Sequence, residues 1–244
     1  LYILDLALRI FYNKQINFYH WFFPVPNLFS ILWILLILRL TKLLKNKIGK
    51  TLYIISYIIS IALFLTHAIY FSYFKIFFDF SVLSVAGEGA AYLDSVLLNI
   101  KYWVVITVIA SIILTVRGLK IIKFEKKINY KNIIITILVF ILIHSLLPLA
   151  LGKSSKELNW DEWRNARSIY RSFNDNNKSL MVSGMYEYNI RNLIMTYSKN
   201  KDTLTKENVL NANFESNISA KETETVKISF NHIVIGFSCI DLSP

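Results

Sequence analysis

Four stretches of this sequence are long, apolar and nearly free of charge: residues 28–44, 52–71, 102–122 and 133–151. A segment of about 20 such residues in a helix covers a hydrocarbon core about 30 Å thick, and backbone in lipid must satisfy its own hydrogen bonds. That requirement restricts the chain to a bundle of membrane helices. Residues 1–11 add a shorter apolar run, read as the tail of a truncated first span, so the expected class is all-α membrane with about five spans. No cleavable signal peptide is visible: this run carries Asp5 and lacks a small-residue cleavage site. The composition agrees, with 55% hydrophobic and 15% aromatic residues and a mean hydropathy of +0.45.

Charge then orients the spans. The chain carries a net +11, and residues 1–151 hold 15 Lys and Arg against 5 Asp and Glu. Eleven of those 15 basic residues lie in two short loops, RLTKLLKNKIGK at 39–50 and RGLKIIKFEKKINYK at 117–131. A nucleic-acid protein displays such charge on a soluble surface. Here it sits between apolar runs, so it reads as the positive-inside signal and no nucleic-acid partner is expected. Both loops are then cytoplasmic, and residues 12–27, 72–101 and everything after Leu151 face outward. The same cations also suit anionic lipid headgroups, making the bilayer the expected partner. Phe22-Phe23-Pro24-Val25-Pro26 is read as the end of a loop.

After Leu151 the sequence turns polar. Trp160, Trp163, Ala166 and Tyr170 recur at helical spacing, and 186–197 forms a second helical candidate after Ser183-Gly184. A polar stretch leads to the apolar run Ile233-Val234-Ile235, which has the look of a first buried strand. Three domains are thus expected: membrane helices over 1–151, an extracellular helical linker over 152–230, and the start of a further domain over 231–244.

Three features occur in order: IYFSYFKIFFDFSVL at 69–83, SLMVSGMYEYNIRNLIMTYSKNKD at 179–202, and NHIVI at 231–235. This order resembles the lipoteichoic acid synthase family, membrane phosphoglycerol transferases of Gram-positive bacteria belonging to the sulfatase superfamily. The aromatic stretch with Asp79 is similar to the family's segment after the third helix, and Gly184-Met185-Tyr186-Glu187-Tyr188-Asn189 to its linker. The resemblance implies five helices, an outer linker and an α/β phosphatase-type catalytic domain that takes glycerol phosphate from phosphatidylglycerol. It also implies a divalent metal, Mn or Mg, in that domain. Ile233-Val234-Ile235 then matches the first strand of the catalytic sheet, but the match decays at Gly236. Cys239 stands where the family has a metal-binding Glu, and Phe237 to Pro244 departs from the pattern, as a truncation or a shifted reading frame would produce.

The implied reading is the membrane anchor and linker of such a transferase, with no catalytic or metal-binding residue in these 244 residues. His20, His67, His144 and His232 are widely separated, and no Gly-rich phosphate loop, HExxH or CxxC appears. Cys239 is the one cysteine, so no intrachain disulfide forms. The alternatives are a small multi-pass transporter subunit, or the anchor of a related phosphoethanolamine transferase or sulfatase. Among polar candidates, His67 and His144 lie within spans three and five, where ionisable groups mark function. With no carboxylate in those spans, each is expected to hydrogen-bond a neighbouring helix. Lys75, Asp79, Glu88 and Asp94 occupy an outer loop that either meets lipid headgroups or the docked catalytic domain, or is a solvated segment at the interface. Trp160, Trp163, Arg164 and Arg167 form an aromatic and basic face suited to a phosphate or to headgroup packing.

Overall fold

The computed structural model describes residues 1–16, 24–85, 100–122, 124, 128, 130–154, 156 and 163–202. It is all-helical among these residues. We number the helices α1 (Tyr2–Ile16), α2 (Pro24–Leu43), α3 (Asn46–Phe74), α4 (Tyr102–Ile121), α5 (Tyr130–Leu146), α6 (Ala166–Ser172), α7 (Asn176–Ser183) and α8 (Met185–Asp202), with 3-10 turns at Phe80–Val85 and Leu147–Leu151. Four segments are long and apolar enough to cross a membrane: α2, α3, α4, and α5 with the turn that follows it. Four such segments stand where about five spans are expected: α1, in place of the expected first span, has 15 residues, carries Asp5 and Arg9, and is not among them.

Two compact units divide the chain. The first, Leu1–Leu193, contains the spans together with α6, α7 and the first turns of α8. Of the second, Ile194–Pro244, the described part is the helical stretch 194–202. The strand expected at 233–235, Cys239 and the rest of 203–244 lie outside the described residues, as do Glu88, Asp94 and Trp160.

Several boundaries differ from the sequence reading, each for a local reason. Pro24 and Pro26 sit in the first turn of α2 rather than ending a loop. First-turn N–H groups have no intrahelical partner, so a proline there loses nothing. Only Leu44 and Lys45 separate α2 from α3, which begins at Asn46 and runs 29 residues. The first basic cluster is therefore mostly helix. This tight hairpin requires Gly49, where a Cβ would strike the Thr41 carbonyl oxygen and meet the Phe124 ring at 3.0 Å. Phe124 lies between α4 and α5, so both basic loops gather at one end of the bundle. At the C-terminal side of α5, Pro148 enters the 3-10 turn, where its lack of an N–H cannot break an α-helical ladder.

Of the expected helical stripe, Ala166 and Tyr170 lie in α6, whose start Asn165 caps by accepting a hydrogen bond from the Ser168 N–H at 2.9 Å. The next helix, α7, was not expected. Asp175 caps its start by accepting from the Lys178 N–H at 3.0 Å, and Gly184 closes it.

The core lies at the end opposite the basic loops. It joins Leu4, Leu8 and Tyr12 of α1, Phe29 of α2, Phe64 and Phe71 of α3, Trp103 of α4, and Leu180, Met185 and Tyr188 from the segment after the spans. On α3 the buried positions Tyr53, Tyr57, Ser60, Phe64, His67 and Phe71 form one stripe at three- and four-residue spacing. On α4 the stripe is Trp103, Thr107, Ser111 and Thr115. The two meet through hydroxyls, with Tyr57 Oη and Ser111 Oγ 2.8 Å apart. Small and hydroxyl-bearing residues let apolar helices approach closely and bond across lipid.

Candidate functional site

The end of the bundle away from the basic loops holds two buried carboxylates: Asp5, which binds the segment Gly184–Asn189, and Glu187, which belongs to that segment. Asp5 of α1 is fully buried, and Arg9, one turn later, is 2% exposed with its Nη2 2.6 Å away. The Ser30 hydroxyl donates to Asp5 Oδ2 at 2.8 Å, and the backbone N–H of Met185 donates to Oδ1 at 2.6 Å. Arg9 Nη2 also donates to Asn27 Oδ1 at 2.5 Å, which accepts from Tyr2 Oη at 2.8 Å. A charge buried in this way is stable only with its partners in place.

Gly184 makes the approach possible. Its φ is +77°, and a Cβ there would lie 2.5 Å from Ser30 Oγ and 3.0 Å from the Pro26 carbonyl oxygen. Glycine alone enters this conformation without strain and leaves room for α2. The backbone can then turn from α7 into α8 directly against Asp5.

Glu187, one turn along α8 from Gly184, is the second carboxylate. Its Oε2 accepts from Trp33 Nε1 of α2 at 2.8 Å and from His144 Nε2 of α5 at 2.8 Å. Its Oε1 accepts from Tyr170 Oη of α6 at 2.7 Å. Three helices therefore converge on one side chain that is 1% exposed. Burial alone would raise its pKa, but the bonds from His144, Tyr170 and Trp33 outweigh it and hold the carboxyl below its ordinary value. Conversely, burial and the neighbouring Glu187 charge push the Tyr170 phenol up, against the opposing Arg191. Rings close the surroundings: Phe29 stacks on Tyr170 at 5.4 Å, Phe140 stacks on His144 at 5.4 Å, and the Arg191 guanidinium lies 3.8 Å over the Tyr170 ring.

A third set of bonds fastens the stretch after α3 to α7 and α8. Tyr188 Oη donates to the Phe78 carbonyl at 2.9 Å, and the Phe80 N–H donates to Asn192 Oδ1 at 2.7 Å. Asn177 accepts from the Phe77 N–H and donates to the Lys75 carbonyl, both at 2.8 Å. Asp79 accepts from Asn176 Nδ2 at 3.1 Å and from the Ser81 N–H at 2.8 Å. Burial would raise the Asp79 pKa, but the bonds from Ser81, Asn192 and Asn176 bring it below its usual value.

The residues singled out from sequence fall around this seat in different ways. His144 gains a carboxylate from the segment after the spans, which no inspection of the spans could supply. His67 is fully buried, with Nε2 3.2 Å from Asn189 Oδ1, inside an aromatic cage of Phe77, Phe78 and Tyr188. Asp79 is tied to α7. Lys75 ends α3 in a left-handed cap and is exposed, its Nζ donating to the Ser72 carbonyl at 2.9 Å. Arg164 stacks on Trp163 at 4.4 Å, and Arg167 donates to the Gly152 carbonyl at 2.9 Å. Arg164 and Arg167 are thus engaged outside the seat. The sequence reading missed Asp5, Arg9, Trp33, Tyr170 and Glu187 as site residues. A usable signal existed for the first pair: Asp and Arg one helical turn apart in an apolar run are costly in lipid unless they serve a purpose.

Both carboxylates are surrounded by donors. Among the described residues, no three His, Cys, Asp or Glu side chains come together to hold a metal. The described residues therefore do not fit the Mn or Mg that the resemblance implies for the distal catalytic domain. Comparison with family models, with curated proteins and with solved structures gives no match.

Proposed function

We propose that this chain is the membrane anchor and linker of a lipoteichoic acid synthase-like phosphoglycerol transferase of the sulfatase superfamily. In this reading it sits in the cell membrane with the segment after α5 on the outer face. It holds a head that acts on phosphatidylglycerol in cell-envelope polymer synthesis, and any metal belongs to that head. The observation that carries the reading is the seating of Gly184–Asn189. The chain leaving the last span returns into the bundle and spends its polar groups on α1, α2, α3 and α5 before continuing. A tether that must fix the base of a distal domain needs this; a passive connector would leave those groups in water.

Two experiments test it. Fusion of a periplasm- or exterior-dependent phosphatase after residue 210 gives an active reporter, and a cytoplasm-dependent fluorescent protein at the same point stays dark; the reverse pattern overturns the orientation. A chimera joining residues 1–230 to the catalytic head of a lipoteichoic acid synthase restores polymer synthesis in cells lacking the enzyme. A chimera that is inserted and stable yet makes no polymer overturns the anchor reading. The 244 residues alone release no glycerol phosphate from phosphatidylglycerol, and turnover above a protein-free control counts against that expectation.

A further inference from the structure

The end of the bundle away from the seat presents an unbalanced charge. Arg39, Lys42, Lys45, Lys47, Lys50, Arg117, Lys120 and Lys131 gather there, and the two basic loops contain a single acid, Glu125. Arg39 of α2 has an exposed side chain, and no carboxylate among the described residues pairs with it; of these cations it is the one that lines the groove between α2 and α5.

Arg39 also closes one end of a groove. Antiparallel α2 and α5 pack together, and along one side of their contact runs a cleft of about 310 Å³. Leu32 and Leu36 form its α2 wall, and Val139, Phe140 and Ile143 its α5 wall. Lys131 stands at the start of α5, one turn before Ile135 of the same wall. A second groove of about 350 Å³ flanks the other side of the α2–α5 contact, lined by Ile37, Leu40 and Ile137 among others, and no cation lines it. The two grooves are nearly equal in size and both are apolar, so charge is what distinguishes them.

From this we infer that the Arg39 groove is a binding site for one anionic phospholipid, its acyl chain between α2 and α5 and its phosphate against the Arg39 guanidinium. An exposed guanidinium inside a span, with no carboxylate beside it among the described residues, attracts an anion, and its planar fork matches a phosphate. Lipid supplies that anion and the apolar tail that fills the cleft. The site depends only on the membrane reading. It lies at the opposite end from the seat and is separate from any substrate site of a distal head.

Native mass spectrometry of the purified full chain in detergent, with phosphatidylglycerol or phosphatidylcholine added at equal concentration, tests it. The wild type retains one phosphatidylglycerol in preference to phosphatidylcholine. Arg39→Gln weakens the phosphatidylglycerol adduct about fivefold to tenfold, toward the phosphatidylcholine level, while Arg39→Lys keeps most of it. Val139→Trp, which fills the cleft, reduces the adducts of both lipids. Lys47→Gln at the same end, and Ile37→Trp in the uncharged groove, leave the preference unchanged. Equal losses in Arg39→Gln and Lys47→Gln would show diffuse attraction to the basic end and overturn the site, as would an unaltered adduct in Val139→Trp. All variants keep the wild-type elution volume, so a lost adduct reports the groove and not unfolding.

Discussion

Helix α5 and the first turns of α8 are opposites in composition and in burial. α5 is the most apolar of the spans, yet none of its residues is buried. The segment Met185–Asn189 is polar in character, with Tyr186, Glu187, Tyr188 and Asn189, and every one of its residues is buried. In water this pairing would be perverse. In a bilayer it is economical, because lipid solvates Ile and Leu as well as a protein interior does, so apolar side chains gain little by packing on each other. Polar groups gain much, since each unpaired one in hydrocarbon carries a large penalty. The bundle is therefore organised around its carboxylates and hydroxyls, and its apolar surface is left to lipid.

Substitutions in the two regions should differ accordingly, and the largest effect falls on the buried ion pair. Asp5→Asn leaves Arg9 buried beside a neutral amide. It should lower stability by about 3–5 kcal/mol, read as a loss of thermal midpoint in detergent. Gly184→Ala combines a left-handed φ with collisions against Ser30 and Pro26. It should remove about 2–4 kcal/mol and expose the 166–192 segment to protease. A variant as resistant as the wild type would break the comparison, since the seat would then accommodate an added methyl against Ser30 and Pro26.

Glu187→Gln turns an acceptor of three bonds into a group that must point two donors at donors. It should lose about 2–3 kcal/mol, and it carries a pH signature. The folded pKa of Glu187 is depressed below its ordinary 4.5. Its contribution is therefore present above about pH 4.5 and lost as pH falls through the folded pKa. Denaturation midpoints between pH 7 and pH 3 should decline more steeply in the wild type than in the Gln variant, and parallel curves would sink the assignment. Tyr12→Phe deletes the bond to the Ala68 carbonyl, 2.9 Å long, and the longer contact with Ser72 Oγ at 3.3 Å, and should remove about 1 kcal/mol. At the other pole, Leu142→Ile on the exposed face of α5 should change stability by under about 0.5 kcal/mol. A large effect there would mean that α5 packs against protein rather than lipid.

The spans were legible because their signal is local. A run of 20 apolar residues commits to a helix without reference to anything else, as α2, α4 and α5 show. Their ends were less legible: α3 gained a turn at each end because Asn46–Lys50 is polar yet helical, the tight Gly49 hairpin leaving no loop to hold it. Helix α7 went unseen because its apolar residues are few and its start rests on the Asp175 cap. The Gly184–Asn189 segment stood out in sequence as a family-like stretch, yet nothing local announced what it touches. Its partners Asp5, Ser30, Trp33 and His144 lie between 43 and 180 residues away.

By itself the sequence determined that this chain is a helical membrane protein with most cations of residues 1–151 in two short loops between apolar runs, since apolar length and charge placement act through the solvent and need no partner. Only the tertiary structure decided that Asp5 and Glu187 would be the points on which the bundle closes. A buried carboxylate is defined by the donors around it, and those donors come from helices that meet only when the whole bundle is assembled.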